Sequence, residues 1–226
     1  MIAMNNERSI FDDAYRKHEG YFGEGQAQLL IDHVQLIDST RPALDVGTGQ
    51  GRNAVFLAQK GIVVDAIDPS EEAVKATASA ARDNNLAVRA IQSSYETFDP
   101  RAEREYFSTY GAICLFGLIQ LLTWDSIGRL QDRVNSWSGK GTVVFLTAFT
   151  TEDSAFEKCA RDWRSVGRNC FEDGRNTIRT FLEPGEAPGL FKGFKAVYHW
   201  EGLGPEHRHG DGPMQQHAVV ELVLQR

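Results

Sequence analysis

Cysteine is scarce in this sequence: Cys114, Cys159 and Cys170 are the only three in 226 residues, and no two form a CxxC pair. An odd number so spaced excludes a disulfide scaffold or a zinc knuckle and points to a reducing cytoplasm. Basic residues are in deficit, 24 Lys and Arg against 31 Asp and Glu, which gives a net charge of -7 and a pI near 5.4. A nucleic-acid partner or an anionic membrane surface would demand the opposite balance. No apolar run approaches the roughly 20 residues of a membrane span. Residues 1–10 are polar and lack the apolar stretch of a signal peptide. Internal repeats and low-complexity segments are missing too. What remains is the composition of a soluble single domain, 42% hydrophobic and 24% charged. Its expected partner is a small polar molecule, and the chain is expected as a monomer or homodimer.

Apolar runs alternate with helix-like stretches over the first two thirds. Residues 43–46, 62–67, 86–91, 112–116 and 142–148 read as strands, and 26–37, 53–60, 71–83 and 124–137 as helices. Ala54, Leu57 and Ala58 share one helical face; Pro69-Ser70 followed by Glu71 and Glu72 is a helix start. This βαβ rhythm predicts a doubly wound α/β fold: a mostly parallel sheet with helices on both faces and ligands bound at the carboxyl ends of the strands. From about 150 to 189 the rhythm breaks. Residues 152–164 suit a helix, 169–179 show no clear period, and 187–191 suit one helical turn. Two late strands, 195–201 and 216–224, flank a polar connection at 202–213 that fits a long hairpin loop at the sheet edge.

The most informative stretch is Leu44-Asp-Val-Gly-Thr-Gly-Gln-Gly-Arg-Asn53. Gly47, Gly49 and Gly51 follow a strand and precede a helix, where a ligand must approach the backbone closely. The pattern is D-x-G-x-G-x-G, not the G-x-G-x-x-G of dinucleotide sites. Asp45, two residues before the first glycine, would repel a pyrophosphate, whereas it suits a ligand carrying a sulfonium and an amino group. A second acid, Asp68, closes the next strand one βαβ step later, where it can accept hydrogen bonds from both hydroxyls of a ribose. It can also cap the helix that opens at Pro69. Asp65 reads as structural or exposed.

With these residues the chain resembles the S-adenosylmethionine (SAM)-dependent methyltransferases of the Rossmann-like class, over about residues 40–150. The resemblance implies a seven-stranded sheet with a late antiparallel strand, SAM as cofactor and S-adenosylhomocysteine as its product. It assigns Asp45, Gly47, Gly49 and Gly51 to the methionine end, with Thr48 and Asn53 of the same stretch also cofactor-binding. Asp68 would take the ribose, Ser94 and Tyr95 would flank the adenine, and Leu115 and Phe116 would floor the sulfonium. Ser94 stands where the family carries an acid, and Tyr110-Gly111 stands where it has Tyr-Asp. The segments Gly51-Arg-Asn-Ala-Val-Phe-Leu-Ala58, Thr180-Phe-Leu-Glu-Pro-Gly-Glu186 and Glu206-His-Arg208 further resemble the tellurite-resistance (TehB-like) enzymes, small cytoplasmic proteins that methylate tellurium or selenium oxyanions and other small acceptors. That likeness assigns His207 and Arg208 to the methyl acceptor. It divides the chain into a helical lid (1–39), a SAM-binding core (40–149), an acceptor-side insert (150–190) and C-terminal strands (191–226).

Methyl transfer is an in-line displacement that rests largely on positioning and water exclusion. A soft anionic acceptor needs no base; a hydroxyl or amine needs one, for which histidine is suited, and arginine suits an oxyanion. The loop holding His207, His209, Asp211 and His217 could supply these groups, could be merely solvated, or could offer ligands to a metal. Phe11, Tyr15, Tyr21 and Phe22 could lid the cofactor or pack as core, and Trp163 and Phe171 could line the acceptor pocket or a local core. Two rivals stand beside methylation of an oxyanion: O-, N- or S-methylation of a metabolite or natural product, and SAM binding without catalysis. A pocket continuous with the sulfonium separates an enzyme from a sensor.

Overall fold

The structure, a computed structural model, describes residues 11–23, 25–103, 108–175 and 177–226. Two short helices, α1 (Asp12–Lys17) and α2 (Gln28–His33), precede β1 (Ala43–Val46), α3 (Arg52–Gln59), β2 (Val64–Asp68), α4 (Glu71–Asp83) and β3 (Val88–Gln92). There follow α5 (Pro100–Glu103), β4 (Tyr110–Phe116), α6 (Trp124–Trp137) and β5 (Ser138–Phe149). The insert holds α7 (Ser154–Asp162), β6 (Arg164–Gly167), β7 (Cys170–Glu172) and β8 (Ile178–Thr180); β9 (Lys195–Leu203) and β10 (Ala218–Gln225) end the chain.

Seven strands form one sheet in the order β3-β2-β1-β4-β5-β10-β9. The first five are mutually parallel, and β10 runs antiparallel to both its neighbours. This is the doubly wound methyltransferase sheet expected from the sequence, with its order reversing between β1 and β4. Alternation along each strand splits the core in two. Leu44, Val46, Ile113, Leu115, Val144 and Leu146 face Ile127, Leu130, Val134 and Trp137 of α6. Ala43, Ala66, Ala112, Cys114 and Phe145 face the other way, onto Leu30 of α2 and Ala54, Leu57 and Ala58 of α3. Helix starts are set by side chains: Ser70 Oγ accepts from Ala73 N–H at 3.2 Å, and Thr123 Oγ1 from Ser126 N–H at 3.3 Å.

Several boundaries differ from the sequence reading. The 26–37 helix is α2 followed by a single 3-10 turn, Val34–Leu36. β4 starts at Tyr110, whose buried hydroxyl donates to Asp65 Oδ2 at 2.8 Å; Asp65 is thus wholly buried and also pairs with Arg89. Gly111 follows because a Cβ there would lie 2.5 Å from the Asp38 carbonyl oxygen. α6 runs straight into β5 at Ser138, so that strand starts earlier than residue 142. Most informative is 164–180, in which 169–179 shows no clear period and which forms a separate three-stranded antiparallel sheet. Its strands of three or four residues are too short to show alternation. Phe149, Phe156, Trp163, Phe171 and Phe181 pack beneath it as a small core of their own. The hairpin loop expected at 202–213 spans 204–217 between β9 and β10, because β9 runs on to Leu203 and β10 starts at Ala218, and it is pinned by a bridge of His207 to Gln215. Among the described residues no helix is long and apolar enough to cross a membrane.

Candidate functional site

The carboxyl ends of β1, β2, β4 and β5 share one edge of the sheet, and the glycine loop rises from it. Gly47, Gly49 and Gly51 take φ of +71°, +55° and +86°, a region that penalises any side chain. The loop is also hemmed in: a Cβ at Gly51 would sit 2.7 Å from Thr77 Oγ1 of α4, and one at Gly49 3.2 Å from the Tyr15 hydroxyl. Two carboxylates brace it. Asp45, 2% exposed, accepts from Thr48 Oγ1 at 2.7 Å. Asp68, 6% exposed, accepts from Gly49 N–H at 2.9 Å through one oxygen and from Ser70 N–H at 2.8 Å through the other. It is therefore both loop anchor and part of the start of α4. A carboxylate offers about four acceptor positions, so two remain for a ligand. Burial pushes the Asp45 carboxyl up to about 6 against the pull of Thr48, and burial likewise raises Asp68. Two buried acids around an open backbone loop favour a cationic guest. Asn53 is turned away from the loop's mouth, its Oδ1 accepting from Ala27 N–H at 2.9 Å.

Beyond β3, Ser94 Oγ accepts from Thr97 N–H at 3.3 Å, while Tyr95 is buried in the α6-side core with its hydroxyl donating to the Ser126 carbonyl at 3.2 Å. At the end of β4, Leu115 is fully buried and Phe116 half-buried. Gly117 N–H donates to Thr147 Oγ1 at 3.0 Å. The side chain that comes nearest Gly47 from this side is Leu118, 3.6 Å from where a Cβ would stand.

The N-terminal segment closes over the loop. Gln50 is its peg: Nε2 donates to the His18 carbonyl at 2.8 Å and Oε1 accepts from Tyr21 N–H at 2.7 Å. Arg52 Nη1 donates to the Phe22 carbonyl at 2.6 Å, and buried Asp12 hydrogen-bonds Ser70 Oγ. The hairpin loop joins from the other side, with Gly210 N–H donating to the Tyr21 carbonyl at 3.1 Å. Successive rings then form a wall: Tyr15 to Tyr21 at 6.2 Å, Tyr21 to His209 at 5.6 Å, His209 to His207 at 4.9 Å, His207 to His217 at 5.4 Å and His217 to Phe149 at 4.4 Å. The wall runs from the glycine loop to the end of β5. His207 belongs to it. Arg208 does not: it is exposed, in a surface groove with Lys17, His18 and Asp211. Asp211 lies 3.7 Å from His18, and among the described residues no group of three or more His, Cys, Asp or Glu is placed to hold a metal.

A family model described as "Methyltransferase domain" matches residues 22–211, most of the chain. The chain belongs to the methyltransferase-domain family. No curated relative matches its sequence. Its fold is similar to a structure solved for the conversion of a disulfide bond into a thioacetal group during echinomycin biosynthesis, with TM-score 0.68 and 16% identity over 96% of this chain and 91% of that one. It is also similar to TehB from Haemophilus influenzae (TM-score 0.65, 15% identity, 95% of this chain and 66% of that one). A third is the 1,6-didemethyltoxoflavin-N1-methyltransferase of Burkholderia thailandensis, solved with its substrate and S-adenosylhomocysteine (TM-score 0.62, 17% identity, 95% and 79%). TehB is thus one neighbour among several.

In this methyltransferase the ring wall is electrostatically uneven. Burial, with the neighbouring His207, His217, Arg52 and Arg179, pushes His209 down to about 4, so it is neutral at physiological pH. Arg179 of β8 is half-buried, donates to the Ile178 carbonyl at 2.9 Å and has no ion pair among the described residues. Burial lowers its pKa against the opposing fields of Cys159, Asp173 and Tyr21. Asp153 accepts from His217 Nδ1 at 2.8 Å. Sequence reasoning passed over Arg179, Asp153, Leu118 and Gln50. Gln50 stands at a variable position inside the glycine motif and Asp153 at the start of the 152–164 helix-compatible run; Arg179 and Leu118 stand in no pattern.

Proposed function

We propose that this methyltransferase takes its methyl group from SAM, releases S-adenosylhomocysteine, and delivers the methyl to a small-molecule acceptor. The observation that carries this is the pair of buried carboxylates, Asp45 and Asp68, around a glycine loop with three positive φ values. That set fits a sulfonium and an ammonium and opposes a pyrophosphate. Bound SAM supplies a methyl group made electrophilic by its sulfonium. The chain's own groups bind, orient and exclude water. Asp45, Thr48 and the glycines hold the methionine end, with Asn53 fixing the segment that closes over it. Asp68 offers its remaining acceptor positions to the ribose. Ser94 and Tyr95 edge the adenine, and Leu115, Phe116 and Leu118 form the apolar floor.

Residues 1–39 form the lid, of which 1–10 and 24 lie outside the described residues, followed by a cofactor core to 149, the acceptor-side insert to 190 and the C-terminal strands. His207 and Arg208 serve the acceptor, joined by Arg179 from the insert. Arg179, which has no ion pair among the described residues, favours an anionic acceptor, such as a tellurium or selenium oxyanion, in keeping with the TehB likeness. The histidine wall favours instead a metabolite or natural product methylated at oxygen, nitrogen or sulfur. The protein works on such molecules in the cytoplasm, as a monomer or homodimer, without a nucleic-acid or membrane partner. A panel of selenite, tellurite, phenols and amines, read by S-adenosylhomocysteine release, tests the reading. Release that requires an added acceptor supports it. Failure of SAM to bind overturns it.

A further inference from the structure

We propose that His217, oriented by Asp153, is the proton acceptor of this enzyme, and that its methyl acceptor is therefore a hydroxyl or ring N–H compound that arrives protonated. The proposal rests on the reading of the chain as a SAM-dependent transferase and names the acceptor class for that same site.

The geometry separates the three histidines of the wall. The His209 ring is neutral and has no hydrogen-bond partner among the described residues, and burial beside other cations opposes its protonation. His207 Nδ1 lies 3.1 Å from the Pro205 carbonyl, a contact that fixes a tautomer without compensating a positive ring. Only His217 is backed by a carboxylate. Its Nδ1 is 2.8 Å from Asp153 Oδ2, and the Asp153 side chain is 0% exposed. Burial works against ionisation of Asp153. The hydrogen bonds from His217, Ala155 and Ala218 outweigh it and hold the carboxyl below its usual range. Because Asp153 is locked by the Ala155 and Ala218 amides at 2.8 and 2.9 Å, it cannot swing away when the imidazole charges.

The ring is also in the right place. Phe149, on which it stacks at 4.4 Å, ends β5, and Thr147 of the same strand accepts from Gly117 at the end of β4. His217 thus stands on the edge of the sheet that carries the glycine loop and Asp68. With a side chain 16% exposed, it is reachable but largely desolvated. The groups facing it are Asp153 from the start of α7, His207 and His209 from the hairpin loop, and the Gln215 side chain, whose Oε1 lies 3.3 Å from Nε2; a half-turn of that amide presents its NH2 group to a bare Nε2, and an acceptor's O–H can displace this long contact. In the step, the acceptor's O–H or N–H bond breaks and its proton passes to Nε2. The electron pair left behind forms the new bond to the methyl carbon as the carbon–sulfur bond of SAM breaks. The products are the methylated acceptor, S-adenosylhomocysteine and an imidazolium balanced by Asp153.

Two arms test this. In the ligand-free chain, ring ¹⁵N NMR at pH 7.5 should show His217 protonated at Nδ1 and bare at Nε2, with the preference relaxed in Asp153→Asn. A proton on Nε2 at that pH, whether alone or as an imidazolium, overturns the proposal whatever the acceptor. The second arm uses phenol, protonated at neutral pH, and pentafluorophenol, already ionised. His217→Gln should lower kcat for phenol by about 10²–10⁴-fold and abolish the low-pH limb of its profile, leaving pentafluorophenol within about threefold. Asp153→Asn should follow the same pattern more weakly. Equal losses on both phenols mean a structural role and overturn it, as does turnover of selenite or tellurite with neither phenol accepted. Calorimetry with S-adenosylhomocysteine is the control. Wild-type affinity in both variants isolates the result to His217, and absence of binding by the wild type would indict the cofactor reading instead.

Discussion

Asp45 exposes how the cofactor loop is built, because its charge is costly to the fold. The carboxyl is 2% exposed, and burial lifts it from 3.8 to about 6. At about 1.36 kcal/mol per pH unit, that rise is ~3 kcal/mol of stability forgone at neutral pH, where the buried group must ionise. Between about pH 4 and 6 the native state keeps a proton that the unfolded chain has already released. The contribution of Asp45 to stability therefore falls as pH rises through that window and levels off above it. Asp45→Asn removes the charge and keeps an acceptor for Thr48 Oγ1, now 2.7 Å from the carboxylate. Allowing for water penetration, we expect the variant to be more stable at pH 7 by about 2 kcal/mol, or ~4–8 °C in Tm for a chain of this length. At pH 4 the two proteins should converge. Urea unfolding of both from pH 4 to 8 gives the difference directly, and SAM affinity of the variant should fall by about tenfold or more as the ammonium loses its charge partner. A difference that is absent at pH 7, or that shrinks as pH rises, would refute the claim that this acid is retained for a cationic ligand at the expense of stability.

Asp68→Ala should weaken S-adenosylhomocysteine binding by roughly 2–4 kcal/mol, about 30- to 1000-fold, since each hydrogen bond to a charged group is worth about 1.5–3. Unchanged affinity in a folded variant would reduce Asp68 to its contacts with Gly49 and Ser70. Gly51→Ala should be destabilised because its φ is +86° and its Cβ would meet Thr77 Oγ1 at 2.7 Å. Adding Thr77→Ala should recover the clash but leave the backbone strain of about 1–2 kcal/mol, and additivity of the two in thermal unfolding would contradict the contact. Arg179→Gln and Arg208→Gln should both bind SAM normally. Turnover should drop in each for an anionic acceptor, and a loss confined to Arg179→Gln would place the acceptor inside the ring wall and release Arg208 from the site.

The βαβ core was legible because buried parallel strands are written as apolar runs between helix signals, and Gly47–Gly51 and Asp68 sit where that rhythm puts them. Strand ends moved by a few residues where burial was not apolar, as at Tyr110, whose hydroxyl finds Asp65 within the core. The small sheet of the insert was not legible: three residues of β7 or β8 carry no period, and what holds them is the aromatic packing of Phe156, Phe171 and Phe181, a tertiary fact. The hairpin loop could be read as polar and histidine-rich. That it closes on Tyr21 and Phe22, nearly 190 residues away, depends on Gln50 and Gly210 contacts that leave no local trace.

The cofactor assignment underlies every other statement about the site, and calorimetric titration of the full chain with SAM, S-adenosylhomocysteine and NAD tests it most directly. SAM and S-adenosylhomocysteine should each bind at one site per chain, more weakly in Asp68→Ala, and NAD should not bind measurably. NAD binding tighter than both, or no binding of SAM by folded protein, would contradict the assignment.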